Sequence, residues 1–268
     1  MRMRPLALFA GLYLLFLYAP IILLPLFAFN DGTVIAFPLQ GFTTRWFIDL
    51  ANTPDLREAT GNSLIIACSV AVLATCLGLF AARAATRYTF PLKGGIMGFI
   101  MLPLVLPEVI VAISLLVTLS QLGLTTSIYT IILGHTLLCM PFAIAILQGS
   151  FSGLDQSLEE AAMDLGETRT GAFFAVILPL VVPGIIASLL ICFIISLDEF
   201  IIAFFLSGNE PTLPVYLWGQ LRFPARLPIV MALGTILVAL SILLLVVANA
   251  LRRYGLRRSG QDDSGGFL

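Results

Sequence analysis

The chain has 268 residues, of which 59% are hydrophobic and only 11% charged, and its mean hydropathy is +1.05. A soluble domain of this length does not carry so little charge, so the sequence reads as an all-α integral membrane protein. The net charge of -1 comes with no basic patch to hold phosphates, and nucleic acid is not an expected partner.

Charge-free runs mark the spans, because a helix crossing a hydrocarbon core of ~30 Å needs about 20 apolar residues. Met1 to Arg4 and the uncharged run behind them resemble a signal-anchor. That run is too long for a signal-peptide core and lacks a small-x-small cleavage site, so residues 5–29 are expected to stay as the first span. A loop over 30–60 follows, carrying Trp46 after Arg45, and the second span is expected over 61–82. From Gly94 to Leu154 the chain is apolar except for Glu108 and His135. Turn signals at Gly123, Thr125, Thr126 and Ser127 divide that run into spans over 96–120 and 128–149. A polar island over 154–179 precedes a fifth span over 180–206, which carries Asp198 and Glu199. A loop over 207–227, a sixth span over 228–251 and a tail over 252–268 that reads as disordered complete the chain. Six helices in a single transmembrane domain are expected, with lipid around them and no internal repeat.

Lysine and arginine placement orients the spans. With the N-terminus inside, the inner segments hold ten of the fourteen basic residues and the outer segments hold Arg45, Arg57, Arg222 and Arg226. Both termini and the polar island are therefore expected on the cytoplasmic side.

The island contains Asp155, Glu159, Glu160, Asp164, Glu167 and Arg169. Leu154, Leu158, Ala161, Ala162 and Leu165 recur at steps of three and four, the period of one helical face. Ser157 and Glu160 have capping-box spacing, and Gly166 is a natural helix stop. A second helix then enters the membrane before Pro179. Lipid-lying helices carry Lys and Arg on their polar face. This one is acidic, which favours a protein partner over anionic lipid.

Within the spans the ionised side chains are Glu108, Asp198 and Glu199, with no Lys or Arg among them. A carboxylate at mid-bilayer costs about 2.5–3.5 kcal/mol on insertion scales and normally faces a partner or a wet cavity. Two readings stand. The acids are protonated or paired with a second subunit, or they line a path for a cation. Pro103 and Pro107 ahead of Glu108 predict a break or kink, a common way to build a solute site in a membrane. Ser196 and Glu199 share a side of a regular helix and Asp198 points elsewhere, unless the helix is locally distorted there. Trp46 reads either as an outer gate or cation–π contact, or with Trp218 and Tyr216 as an interfacial belt.

Other chemistries are excluded or weak. Cys68, Cys76, Cys139 and Cys192 lie in apolar runs without CxxC spacing and read as buried thiols. His135 is the only histidine, so a two-histidine metal site is impossible and a helix–helix hydrogen bond is its simplest role. No serine sits in a nucleophile-elbow context. Lys93, the only lysine, lies in FPLKGG and not in a Walker A loop, so any nucleotide site must come from another chain.

The stretch EAAMDLGETRTGAFFAVILP resembles the EAA loop of membrane subunits of binding-protein-dependent ABC importers. Glu160, Ala161, Ala162, Gly166, Leu178 and Pro179 match its pattern, and Val176 stands at its isoleucine position. LPLVLPEVIVAISLL, SLDEFIIAFFLSG and TLPVYLWGQLR are similar to the second permease subunit of spermidine/putrescine importers. Members often carry Asp-Asp where this chain has Asp198-Glu199. The resemblance implies the type I ABC importer permease fold, with Leu158, Glu160, Ala161, Ala162, Asp164 and Gly166 forming a cytoplasmic coupling helix against an ATPase. It implies a second homologous permease subunit, an ATPase dimer holding ATP and Mg, and a periplasmic substrate-binding protein, all at a bacterial inner membrane. This chain is then expected to bind no cofactor and to catalyse nothing itself. Its substrate path is expected to involve Glu108, Ser196, Asp198, Glu199 and Trp46. A permease for another small organic solute, such as an amino-acid-derived compound, is the alternative. An ion-coupled carrier or cation channel built on the same acids is a more distant one, and a scaffold without a transport role a third.

Overall fold

In the computed structural model the described residues are 3–155, 157–239 and 242. They are helical, with no strand among them and one isolated bridge, Asn30 to Phe42. The chain divides into two compact units, one of 55–216 and one made of the described parts of 1–54 and 217–268.

The larger unit begins with α3 (Pro54–Arg87), which starts about two turns before the expected span of 61–82 and runs more than a turn beyond it, through Arg83 and Arg87. The span expected over 96–120 is two helices, not one. α4 (Lys93–Met101) runs into a 3-10 turn, Leu102–Leu104, and α5 starts at Glu108 and ends at Gln121. The two limbs meet at 104°. Pro103 and Pro107 each lack an N–H, helical structure lapses after Leu104, and Pro107, extended at ψ 128°, is the residue from which α5 starts anew. α6 (Ile128–Ser152) starts at a capping box in which Ser127 and Thr130 bond each other's backbone.

α7 (Ser157–Asp164), α8 (Arg169–Ala172) and α9 (Leu178–Asp198) follow. Phe173–Ile177 between α8 and α9 is a π-helical turn. The Pro179 ring would strike the carbonyl four residues back in a regular helix, and the wider turn relieves that clash. The fifth expected span, 180–206, is also interrupted. α9 ends at Asp198, Glu199 is extended, and α10 (Ile201–Leu206) begins afresh.

The core of this unit joins α3, α5, α6, α9 and α10 through Ile66, Val70, Leu119, Ile131, Leu138, Cys192 and Ile202, all buried. A second cluster, Ala82, Leu147, Phe151, Phe173, Ile177 and Val181, lies at the α7 end. Helices in lipid gain little from burying apolar surface on one another, so small residues and interhelical hydrogen bonds matter more. Thr75 and Ser188 share a hydroxyl–hydroxyl bond of 2.9 Å between α3 and α9. Cys139 and Cys192 are buried and free, each facing the other's carbonyl. Cys68 and Cys76 are exposed, against the expectation that all four thiols are buried, because they sit on the outward side of α3.

The other unit contains α1 (Met3–Ala28), α2 (Arg45–Ala51) and an apolar helix, Pro224–Ala239. α11 (Leu213–Gln220) lies across the boundary between the units. α1 exposes large side chains along its length, among them Leu12, Phe16 and Ile22. Ala28, Trp46 and Ala232 form its small core. By length and apolarity four described helices can cross a membrane, or five with the bent pair counted as one span. Residues 240, 241 and 243–251 of the sixth expected span and all of the tail lie outside the described residues, as does Arg2.

Gly78 on α3 sits where a Cβ would lie 2.7 Å from that of Ala143 and 3.2 Å from its carbonyl carbon, so the backbones of α3 and α6 touch there. Gly78→Val is expected to destabilise the chain by about 1–3 kcal/mol through overpacking. The melting temperature of the detergent-solubilised protein reads this. Gly11→Val, with nothing within 4 Å of its Cβ, is the control expected to leave it unchanged.

Candidate functional sites

Three of the expected path residues lie at helix ends. Glu199 is buried where α9 stops, and its carboxylate is fully engaged. Oε1 accepts from the N–H of Ile201 at 2.9 Å, both oxygens accept from Ile202, and Oε2 accepts from Ala203 at 3.2 Å. These are the donors that the first turn of a helix leaves without partners, so Glu199 caps α10 from inside an apolar core. His135 on α6 sits 3.3 Å away through Nε2, and its Nδ1 is 2.9 Å from the Ser196 hydroxyl on α9. The expectation that the chain's own helices offer the acids no basic partner is thereby corrected. His135 makes the expected helix–helix hydrogen bond and also faces Glu199. Ser196 and Glu199 do share a side, and the local distortion left open by the sequence is the one that occurs.

Asp198, one residue earlier, is exposed. So is Glu108, the first residue of α5, behind the proline break of the bent pair. Neither carboxylate forms an ion pair among the described residues. Each carboxylate therefore stands exposed at a helix interruption.

Trp46 belongs to the other unit and is 5% exposed, so it does not sit in a lipid-facing belt. Its indole N–H donates to the Asn30 carbonyl at 2.7 Å, and the Arg45 guanidinium lies 4.2 Å from its ring centroid. Asn30 also accepts the Gln40 N–H through Oδ1, and Arg45 reaches Asp31 at 3.5 Å. Together these bonds give shape to the loop over 30–44. Trp218, by contrast, is 48% exposed, as an interfacial belt requires.

α7 is short, amphipathic and closed at both ends. Ser157 is its first helical residue, so the expected cap moves to Asp155, whose Oδ1 accepts the Ser157 N–H at 3.0 Å. Hydrogen bonds from Ser157 hold the Asp155 carboxyl below the usual carboxylate range. At the other end Gly166 has φ +97°, with its N–H on the Met163 carbonyl and that of Glu167 on Ala162. This is a Schellman stop, and only glycine adopts that backbone without strain. Leu154 and Ala162 turn inward, while Leu158, Ala161 and Leu165 are exposed, so the expected single face splits in two. Glu160 and Asp164 are exposed beside that apolar strip.

Glu159 does the opposite. It lies between two arginines of α3, with Arg83 Nη2 at 2.9 Å and Arg87 Nε at 3.9 Å. The Arg83 guanidinium also stacks 4.1 Å from the centroid of Phe173. A cleft of about 340 Å³ opens alongside, lined by Arg87, Tyr88, Glu159, Glu160, Met163 and Arg169, among others.

The profile of the family described as binding-protein-dependent transport system inner membrane component matches residues 74–259. The chain belongs to this family. It is 32% identical over 248 residues to the spermidine/putrescine transport system permease protein PotC of Shigella flexneri, covering 92% of this chain and 93% of that protein. It is 35% identical over 231 residues to the putrescine transport system permease protein PotI of Escherichia coli (strain K12), with 83% and 82% covered. It also superposes on a chain in the crystal structure of a bacterial alginate ABC transporter in complex with alginate pentasaccharide-bound periplasmic protein. That match has a TM-score of 0.70 at 21% identity and covers 94% and 95% of the two chains, which shows a shared ABC importer permease fold.

In this inner membrane component two contacts escape the sequence: His135 facing Glu199, and Arg83 with Arg87 facing Glu159. The spacing of Arg83 and Arg87, four apart at the end of an apolar helix, is a one-face signal that could have found them.

Glu199→Ala is expected to cost about 1–3 kcal/mol by stranding the α10 donors and His135. Asp198→Asn, beside it, is expected to leave stability unchanged. Thermal unfolding of the two purified variants in detergent checks the contrast.

Proposed function

We propose that the chain is one transmembrane half of an ATP-driven importer for putrescine or spermidine, acting as a single permease domain in a bacterial inner membrane with both termini cytoplasmic. The observation that carries this reading is the identity, over most of both chains, with two polyamine permeases. The exposed acids agree with such a cargo, since a polyamine is a flexible cation that carboxylates can hold while it sheds part of its hydration. Its partners are a second, homologous permease, an ATPase dimer that binds ATP and Mg, and a periplasmic binding protein. The chain itself holds no cofactor and catalyses no step.

Loaded binding protein docks on the outer loops, including the loop shaped around Trp46. ATP closes the ATPases, and that closure reaches the membrane through α7, whose Leu158, Ala161 and Leu165 strip, with Glu160, Ala162, Asp164 and Gly166, fits a groove on a partner. The spans rock from inward- to outward-facing, and the amine passes Glu108 and Asp198. Ser196 and Glu199 stand behind Asp198 and hold the interruption that presents it. Several weak sites suit transport better than one strong site, because the cargo must also leave.

The test is uptake of labelled putrescine and spermidine by cells lacking their own polyamine importers and expressing this chain with its neighbouring genes. Saturable uptake is expected, lowered at least about tenfold by Asp198→Asn, on the scale of one lost charge contact. Gly166→Pro is expected to abolish uptake and lose the copurified ATPase, because proline cannot adopt φ +97°. Assembly and ATP hydrolysis without uptake of either amine would remove the cargo and keep the importer, and a panel of amino acids would then compete. Uptake by the purified chain alone would favour an ion-coupled carrier.

A further inference from the structure

The Glu159 cluster is not needed to explain a docking face, since its side chain points away from the exposed strip of α7. Glu159 is 15% exposed, and Arg83 and Arg87 are 12% and 11% exposed. Arg83 Nη1 and Arg87 Nη2 are buried without hydrogen-bond partners, and Glu159 is the carboxylate that ion-pairs with both cations, with Asp155 adding a weaker attraction on Arg87. Removing one member of a buried ionic cluster leaves the others uncompensated. Arg83 also lies over Phe173, in the π-helical turn that leads into α9. One guanidinium thus touches three elements: the end of α3, the coupling helix α7 and the entrance to α9.

Covalently, α7 connects to α6 on one side and to α9, through Gly166, on the other. Nothing in the chain's connectivity ties it to α3. We propose that Glu159, Arg83 and Arg87 are positioning residues that make α7 and the adjoining end of α3 move as one body, so that a displacement of the coupling helix pulls α3 as well as α9. The proposal rests on the importer reading above. An arginine is required at 83, because only a planar guanidinium can bond a carboxylate at one edge while stacking on an aromatic face.

The experiment uses the full complex with its partner permease, ATPase and binding protein, and compares wild type, Glu159→Gln, Arg83→Gln, Arg87→Gln and the Arg83→Gln/Glu159→Gln pair. Both solute imported and ATP hydrolysed are measured in proteoliposomes. Glu159→Gln and Arg83→Gln are expected to keep the ATPase bound and hydrolysing, while solute imported per ATP falls about fivefold or more, the lower range of coupling energies between sites. Arg87→Gln, whose contact is the longer one at 3.9 Å, is expected to fall less. The pair is expected to be no worse than its poorer member, since both changes break one contact. Additive losses, an unchanged ratio, or failure of the single variants to retain the ATPase would each overturn the proposal.

A second readout is independent of cargo. Spin labels at Tyr88→Cys and Ser157→Cys, with Cys68 and Cys76 replaced by serine, report the separation of α3 and α7. That separation is expected to be the same with and without ATP in the absence of magnesium in wild type, and to change in Glu159→Gln and Arg83→Gln. A wild-type complex that imports neither amine, yet keeps this separation fixed, would sink the polyamine reading and leave the joint standing. A wild-type separation that changes on ATP binding would sink the joint whatever the cargo.

Discussion

An interrupted helix inside a membrane has no water to satisfy the amides it frees, and this constraint shapes the core of the larger unit. α9 stops at Asp198 without a proline or a glycine, which leaves the first turn of α10 with open N–H groups. Glu199 answers three of them with one carboxylate. That places a buried acid in an apolar core, which in turn calls for His135 on the neighbouring helix and Ser196 to fix the imidazole. The four residues from Ser196 to Glu199 therefore divide between two jobs. The inward-facing pair holds the interruption, and Asp198 is left exposed at its rim.

Two ways of breaking a helix operate in the larger unit. Around Leu102–Leu104 the break is covalent, since Pro103 and Pro107 cannot donate. Around Glu199 it is electrostatic, held by side chains from two other positions. Both place an exposed carboxylate beside an irregular backbone, Glu108 in one case and Asp198 in the other. A covalent break is present in every state of the protein, whereas a break held by hydrogen bonds can in principle be remade as helices move. A transporter that alternates between two shapes has use for both kinds.

The readable parts of the fold were those carried by local chemistry. Apolar runs located α1, α3 and α6, turn residues marked the start of α6 at Ile128, and proline spacing announced the bend before Glu108. The EAA pattern placed α7 and its Gly166 stop, where only glycine fits the backbone. What could not be read were contacts between positions far apart in the chain. The break at Glu199 depends on His135, 64 residues earlier, and no residue at the break signals it. Arg83 and Arg87 looked like topology markers because their partner, Glu159, is supplied by a loop more than 70 residues on. The cap of α7 shifted from Ser157 to Asp155 because both residue types can serve, and spacing alone does not choose between them.

The acidic character of α7 acquires a sharper meaning from this division. Of its charges, Glu159 is spent inside the chain, whereas Glu160 and Asp164 remain exposed beside Leu158, Ala161 and Leu165. Adjacent glutamates thus face different ways, one into an arginine pair and the other towards the outer surface, as neighbours about 100° apart on a helix do. A helix of eight residues has too little surface to bind a partner and anchor itself through the same side chains. Holding α7 from behind by an ionic contact leaves its whole outer strip exposed. Burial of Ala162 against the body and Gly166 at the exit fix the direction in which that strip points.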